Sequence, residues 1–320
     1  MSRMPHPRLR RGTAWLLSLV ALLAACSSAS PSPSTSPAPT PTPTATPAPT
    51  PVPSPTPIPL DEAMLARRFT VLVAGADTSR YRRSIGLTDW NTDALMVISV
   101  SADKSRITVM SLPRDTVDIP MPDGSIDHHK VNSIAHRLGM DALRRAMSSL
   151  LGVPIDRYIR VDMDDFTRMV DAVGGIDVEV KTRLFDPHVH LNLFPGPTHM
   201  TGAQALSFSR SRNADSDYAR AARQQQVILA LVEKWLAPSM GSLVAGLGAM
   251  GSLQTDIGLA EVPTLLEIGR RSASASVTAI VLKPPRFSIF VGFEPNSIRG
   301  WVMIPDVPAM RAYARAQLTP

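Results

Sequence analysis

At 320 residues with 44% hydrophobic composition, the chain can bury one large core or two small ones. An aromatic content of 5% leaves too few rings for a stacking platform on single-stranded nucleic acid. Four of the 33 basic residues (Arg3, Arg8, Arg10 and Arg11) sit at the extreme N-terminus and the rest exceed the 27 acidic residues by only two, which excludes the broad positive field of a DNA-binding regulator and leaves only local patches.

The N-terminal arginines precede an apolar run over 14–25. Twelve residues are too few to span a bilayer as a stable helix, and the arrangement reads as an export signal over residues 1–25. Leu23-Ala24-Ala25-Cys26 resembles the lipobox of bacterial lipoproteins, which implies cleavage before Cys26, lipidation of its thiol and an extracytoplasmic, membrane-anchored protein. Cys26 is the single cysteine, so no intramolecular disulfide is open to it. Residues 26–60 hold a Pro/Thr/Ser-rich tract with 13 of the 30 prolines. Such a tract buries no core and favours extended polyproline II; its 33 residues after the cysteine reach about 100 Å when stretched. It reads as a tether carrying a domain over residues 61–320.

Within that domain the apolar runs at 69–74, 91–100 and 107–112 predict three strands, with Asp77, Asp93, and Arg114 beside Asp115 at their ends or entrances. Ligands collect at strand ends in such sheets, so these charges are expected to converge. A helix is expected over 142–151, closed by Gly152; a strand over 158–161; a helix over 165–173 stopped by Gly174-Gly175; and a strand over 176–180. Two prolines and two glycines in 195–202 predict a turn. His128-His129 and the His188/His190 pair lack companions at metal-ligand spacing and read as loop residues. A glycine-rich passage at 241–251 is followed by a helix over 259–271, strands over 277–282 and 300–304, and a closing helix over 307–318. Alternating strands and helices imply an α/β fold, a single domain with a central mixed β-sheet flanked by helices. No Walker loop, GxGxxG, GxSxG or CxxC pair occurs.

The stretch from Ser209 to Gln226 is the most informative. Arg210, Arg212, Arg220 and Arg223 surround the start of a helix reaching 236, with Asp215 or Asp217 as its N-cap. Four guanidiniums there oppose the macrodipole and one another. A bound anion resolves the conflict, and phosphate matches guanidinium forks best. The aspartates could orient the arginines, hold a metal or take a proton. A solvated helix end laced with exposed ion pairs, each worth well under about 1 kcal/mol, is the alternative.

The ordered motifs Gly75-Ala76-Asp77, Thr92-Asp93, Ser111-Leu112-Pro113-Arg114-Asp115-Thr116, Lys130-Val131-Asn132, Gly174-Gly175-Ile176-Asp177-Val178 and Arg210-x-Arg212 through Asp217, Arg220 and Arg223-Gln224 resemble those of the LytR-CpsA-Psr family, most specifically over residues 69–236. The resemblance implies an extracytoplasmic phosphotransferase that moves a glycopolymer from a polyprenyl diphosphate carrier to a peptidoglycan acceptor, using Mg2+ and a hydrophobic tunnel for the lipid. It places metal-binding carboxylates at Asp77 and Asp93, and diphosphate-binding groups at Arg114, Arg210, Arg212, Arg220 and Asn91. Asp217, with Arg114 and Arg212, is the catalytic expectation, as base or orienting partner. Asn91 stands where the family often has arginine, so one guanidinium is absent; and a lipidated Cys26 replaces the usual transmembrane anchor. A non-catalytic binder of polyprenyl phosphates or wall polymers, and a polyprenyl diphosphate hydrolase, remain as alternatives.

Overall fold

The computed structural model describes residues 59–212, 216–236, 253–294 and 298–318, all within one unit, Thr56–Pro320. The signal, Cys26, the tether as far as residue 58, Asp215 and the glycine-rich passage lie outside the described residues. In chain order the elements are α1 (Glu62–Ala66), β1 (Phe69–Ala76), α2 (Arg80–Ser84), β2 (Thr92–Val100), β3 (Arg106–Ser111), β4 (Ile119–Pro120), β5 (Ile126–Asp127), α3 (Ile134–Leu138), α4 (Met140–Leu151), β6 (Arg157–Val161), α5 (Met163–Ala172), β7 (Ile176–Val180), β8 (Leu184–Asp186), β9 (Leu191–Leu193), β10 (Gly196–Met200), α6 (Gly202–Arg210), α7 (Asp217–Leu236), β11 (Gln254–Thr255), α8 (Val262–Arg271), β12 (Ser276–Val281), β13 (Ser288–Phe293), β14 (Trp301–Pro305) and α9 (Val307–Leu318). Among the described residues no helix is long and apolar enough to cross a membrane.

Six strands form the principal sheet in the order β11-β6-β1-β2-β3-β12. Neighbours are antiparallel at β1/β2, β2/β3 and β6/β11 and parallel at β1/β6 and β3/β12, the mixed α/β arrangement expected. Both faces are covered. Leu72, Ala74, Leu95 and Val97 join Leu143, Met147 and Leu150 of α4 and Met310 of α9 in one cluster. Their neighbours in sequence, Val73 and Met96, join Val109 in another, beneath Ile228 and Leu229 of α7. Double coverage is why these strands read as unbroken apolar runs rather than alternating ones. A third cluster binds α5, α6, α7 and the β7–β10 ribbon through Met169, Val170, Ile176, Phe208, Val227 and Leu231.

One segment differs from expectation. The turn foreseen at 195–202 is largely strand: β10 pairs antiparallel with β7, Gly196 opposite Val180 and Met200 opposite Ile176. Pro197 is tolerated because a two-stranded ribbon has only edge strands, where a missing N–H need not break a ladder. Residues 203–208 belong to α6, started by a capping box in which Thr201 and Gln204 satisfy each other's backbone groups. Gly202 is required there by proximity: a Cβ would stand 2.2 Å from the Thr167 carbonyl oxygen of α5.

Candidate active site

The C-terminal ends of β1, β3 and β6 and the start of β2 share one end of the sheet. There the β1/β2 ladder is broken by a register shift at Gly75/Ala76, a bulge of the kind that re-aims a chain leaving a strand. Asp77 follows at once, its N–H donating to the Asn91 carbonyl at 2.8 Å. Asp93 enters from β2 and Arg114 from the turn after β3. Arg210 ends α6, Arg212 follows in the connection, and α7 brings Asp217, Arg220 and Gln224.

Asp77, Asp93, Arg114, Arg210, Arg212 and Arg220 all line one cavity of about 520 Å³. Its remaining wall is largely apolar, including Val73, Met96, Val161, Phe166, Val227 and Ile228. Asn91 is not among the lining residues and is exposed. Its backbone carbonyl receives the Asp77 N–H.

Carboxylates and guanidiniums interleave. Arg114 Nη1 donates to Asp93 Oδ2 at 2.8 Å, and Arg212 approaches the same oxygen at 3.8 Å. Asp217 lies between three cations, 3.4 Å from Arg220, 3.6 Å from Arg212 and 3.7 Å from Arg114. Asp77 stands between Arg210 at 3.9 Å and Arg82 at 4.0 Å. Most of these separations exceed hydrogen-bond length, so the guanidinium N–H groups are only partly consumed. The Nε atoms of Arg114 and Arg220 are buried with no hydrogen-bond partner. Arg220 is 5% exposed. Burial, with Arg212 and Arg114 adding repulsion, pulls its pKa down to about 10 against the attraction of Asp217. Burial acts on Arg114 in the same direction, but Asp93, supported by Asp115 and Asp217, more than offsets it and holds that group above its ordinary value. A buried, under-partnered guanidinium is costly in isolation; an anion in the cavity would supply the missing acceptors.

Two expectations about the helix start are corrected. The N-terminus of α7 is capped by Ser216, whose Oγ accepts from Ala219 N–H at 3.3 Å. Asp217 is the first helical residue, which leaves its carboxylate for the arginines. Arg223, grouped by spacing with the anion-binding arginines, turns inward: its Nε donates to the Phe208 carbonyl at 3.0 Å and its Nη2 to the Ser211 carbonyl at 2.6 Å. It braces α6 against α7. Sequence reasoning missed Asp186, a buried cavity-wall residue from β8, because its partners Ser211 and Arg212 lie 25 and 26 residues away.

Among the described residues no three His, Cys, Asp or Glu side chains are arranged to hold a metal ion. Asp77 and Asp93 both line the cavity, and a pair of carboxylates is a donor set that suits a hard divalent cation also held by phosphate oxygens. His188 lines the cavity and His190, at φ 53°, closes the short helical turn after β8. His128 and His129 are exposed and face Asp118 and Asp127.

A family model described as the LytR_cpsA_psr family matches residues 56–286. The chain is 34% identical over 190 residues to the polyisoprenyl-teichoic acid--peptidoglycan teichoic acid transferase TagU of Bacillus mycoides (strain KBAB4), a match covering 59% of this chain and 57% of that one. It is 28% identical over 183 residues to the corresponding TagV of Bacillus subtilis (strain 168), covering 55% and 46%. The chain thus spans about half the length of these curated relatives. The crystal structure of B. subtilis TagV superposes with a TM-score of 0.64 at 23% identity, over 80% of this chain and 99% of that one. TagT bound to LIIa-WTA superposes at 0.61 and 20% identity, over 80% and 92%.

Proposed function

The chain belongs to the LytR-CpsA-Psr family, and from that premise we propose that it transfers an anionic glycopolymer of the teichoic-acid class from a polyprenyl diphosphate carrier to a peptidoglycan hydroxyl. The observation that carries the reading is Arg220: a guanidinium 5% exposed, with an orphaned Nε, beside Arg114 and Arg212 at the polar end of a largely apolar cavity. A lipid diphosphate matches both ends of that cavity.

In this reading Arg114, Arg210, Arg212 and Arg220 bind the diphosphate and stabilise the charge that grows on it as the bridging bond lengthens. The acceptor oxygen bonds to the sugar-side phosphorus, the bridging P–O bond breaks, polyprenyl phosphate departs, and the hydroxyl proton leaves to a carboxylate or to water. Asp217, in contact with three guanidiniums, fits an orienting role better than that of the base. Asp77 and Asp93 would hold Mg2+, which supplies further neutralisation of phosphate charge when bound. The apolar wall from Val73 to Ile228 takes the first part of the polyprenyl chain. Lipidation of Cys26 and the proline-rich tether would station the domain at the outer face of the membrane where such carriers lie.

The test is release of polyprenyl phosphate from a synthetic lipid-diphosphate-saccharide by the full chain, with Mg2+, with and without a peptidoglycan oligomer. Release that needs the acceptor and is lost in Arg212→Ala and Asp93→Ala supports the transferase. Equal release without acceptor would indicate a hydrolase; tight binding without release, a carrier-binding protein.

A further inference from the structure

We propose that Asp186, outside the diphosphate-binding set, is the positioning residue that fixes the Ser211–Arg212 connection and thereby aims the Arg212 guanidinium into the cavity. This inference rests on the diphosphate-binding reading above. Asp186 is 2% exposed. Its Oδ2 accepts from Ser211 Oγ at 2.9 Å and from the Arg212 backbone N–H at 3.0 Å, while its Oδ1 accepts from the His188 N–H at 3.1 Å. One buried carboxylate therefore ties the loop after β8 to the chain leaving α6.

Arg212 needs such an anchor. The helix ends at Arg210, and Ser211 departs at φ −55°, ψ 135°, so helical hydrogen bonding does not reach the Arg212 backbone. The Arg212 side chain is 44% exposed, and its contacts with Asp93 and Asp217, at 3.8 and 3.6 Å, are too long to fix a flexible side chain. Its backbone is fixed instead. Arg223 holds the Ser211 carbonyl from one side at 2.6 Å, and Asp186 holds the Ser211 hydroxyl and the Arg212 N–H from the other. A carboxylate suits the second task because two donors converge on a single oxygen, and a charged acceptor holds both more firmly than a neutral one. His188 and Val189, following Asp186 in sequence, line the same cavity, so the carboxylate that orients Arg212 also holds the start of that part of the wall through the His188 N–H. Small displacements of a binding guanidinium cost much of its benefit.

The experiment is a double-mutant cycle on the full chain with Asp186→Asn and Arg212→Ala, read by calorimetric titration of inorganic pyrophosphate alongside thermal denaturation. Asp186→Asn is expected to weaken pyrophosphate binding about 5- to 20-fold while Arg212 is present, and by less than about twofold in the Arg212→Ala background, because residues acting through one another are not additive. A general structural role would give the same factor in both backgrounds and would overturn the proposal, as would unchanged affinity in Asp186→Asn when Arg212→Ala binds weakly. Unchanged affinity in Arg212→Ala itself would remove the diphosphate-binding reading, and this inference with it. Should Asp186→Asn fail to fold, Ser211→Ala deletes the Ser211 hydroxyl bond and keeps the carboxylate; a loss of about two- to fivefold, confined to the Arg212 background, is then expected, and equal losses in both backgrounds overturn the proposal.

Discussion

Replacing Arg220 separates what the site needs from what the fold needs. In Arg220→Met a side chain of similar length fills the same space at 5% exposure without a charge to desolvate. The variant loses one ion contact, at 3.4 Å to Asp217, but that carboxylate keeps Arg212 at 3.6 Å and Arg114 at 3.7 Å. It also loses repulsion with the same two arginines. Replacing a buried ion pair by packed apolar groups is often neutral or stabilising by about 1–4 kcal/mol, and removing one member is costly chiefly when its partner is left uncompensated, which Arg212 and Arg114 prevent here. With about 2–4 °C per kcal/mol for a domain of this size, the melting temperature is expected to hold or rise. Binding moves the other way: hydrogen bonds from a charged group to phosphate contribute about 1.5–3 kcal/mol, so pyrophosphate affinity should fall about 10- to 150-fold. Thermal denaturation followed by circular dichroism and calorimetric titration measure the two quantities on one sample. A melting temperature lowered by more than about 5 °C with affinity unchanged would refute the reasoning and make Arg220 a structural strut.

Three further outcomes are expected. Ile228→Trp places a bulky ring against the apolar wall and should abolish binding of a lipid diphosphate while inorganic pyrophosphate still binds; equal loss of both would show that the apolar wall is not the lipid's place. Gly202→Ala sets a methyl 2.2 Å from the Thr167 oxygen and should destabilise the domain by about 1–3 kcal/mol in denaturant titration, a cost that an unmoved midpoint would contradict. Because burial brings Arg220 down from its ordinary value to about 10, the folded state sheds that proton before the unfolded chain does; its destabilising contribution is complete well below pH 10 and fades as pH rises through and beyond it. Pyrophosphate affinity should decline as pH rises through about 10, and a titration that stays flat from about pH 9 to pH 11 would count against Arg220 as an anion ligand.

Local pattern determined much of this protein. The apolar runs of β1, β2 and β3, the glycine stops after α4 and α5, and the ordered motifs from Asp77 to Arg223 were legible because strand, cap and motif signals span only a few residues. They gave the α/β class and the family, and they named Asp77, Asp93, Arg114, Arg210, Arg212 and Arg220, which the fold gathers around one cavity. What the tertiary structure alone decided concerns partners distant in sequence. β10 is a strand because β7 lies beside it, whatever the prolines and glycines of 195–202 suggest. Arg223 and Arg220 share a helix and a spacing, yet one braces the Phe208 and Ser211 carbonyls and the other enters the cavity. Asp186 matters only because folding brings it to Ser211 and Arg212. Charge type is written in the chain, but the direction in which a charge points is set by the packing around it.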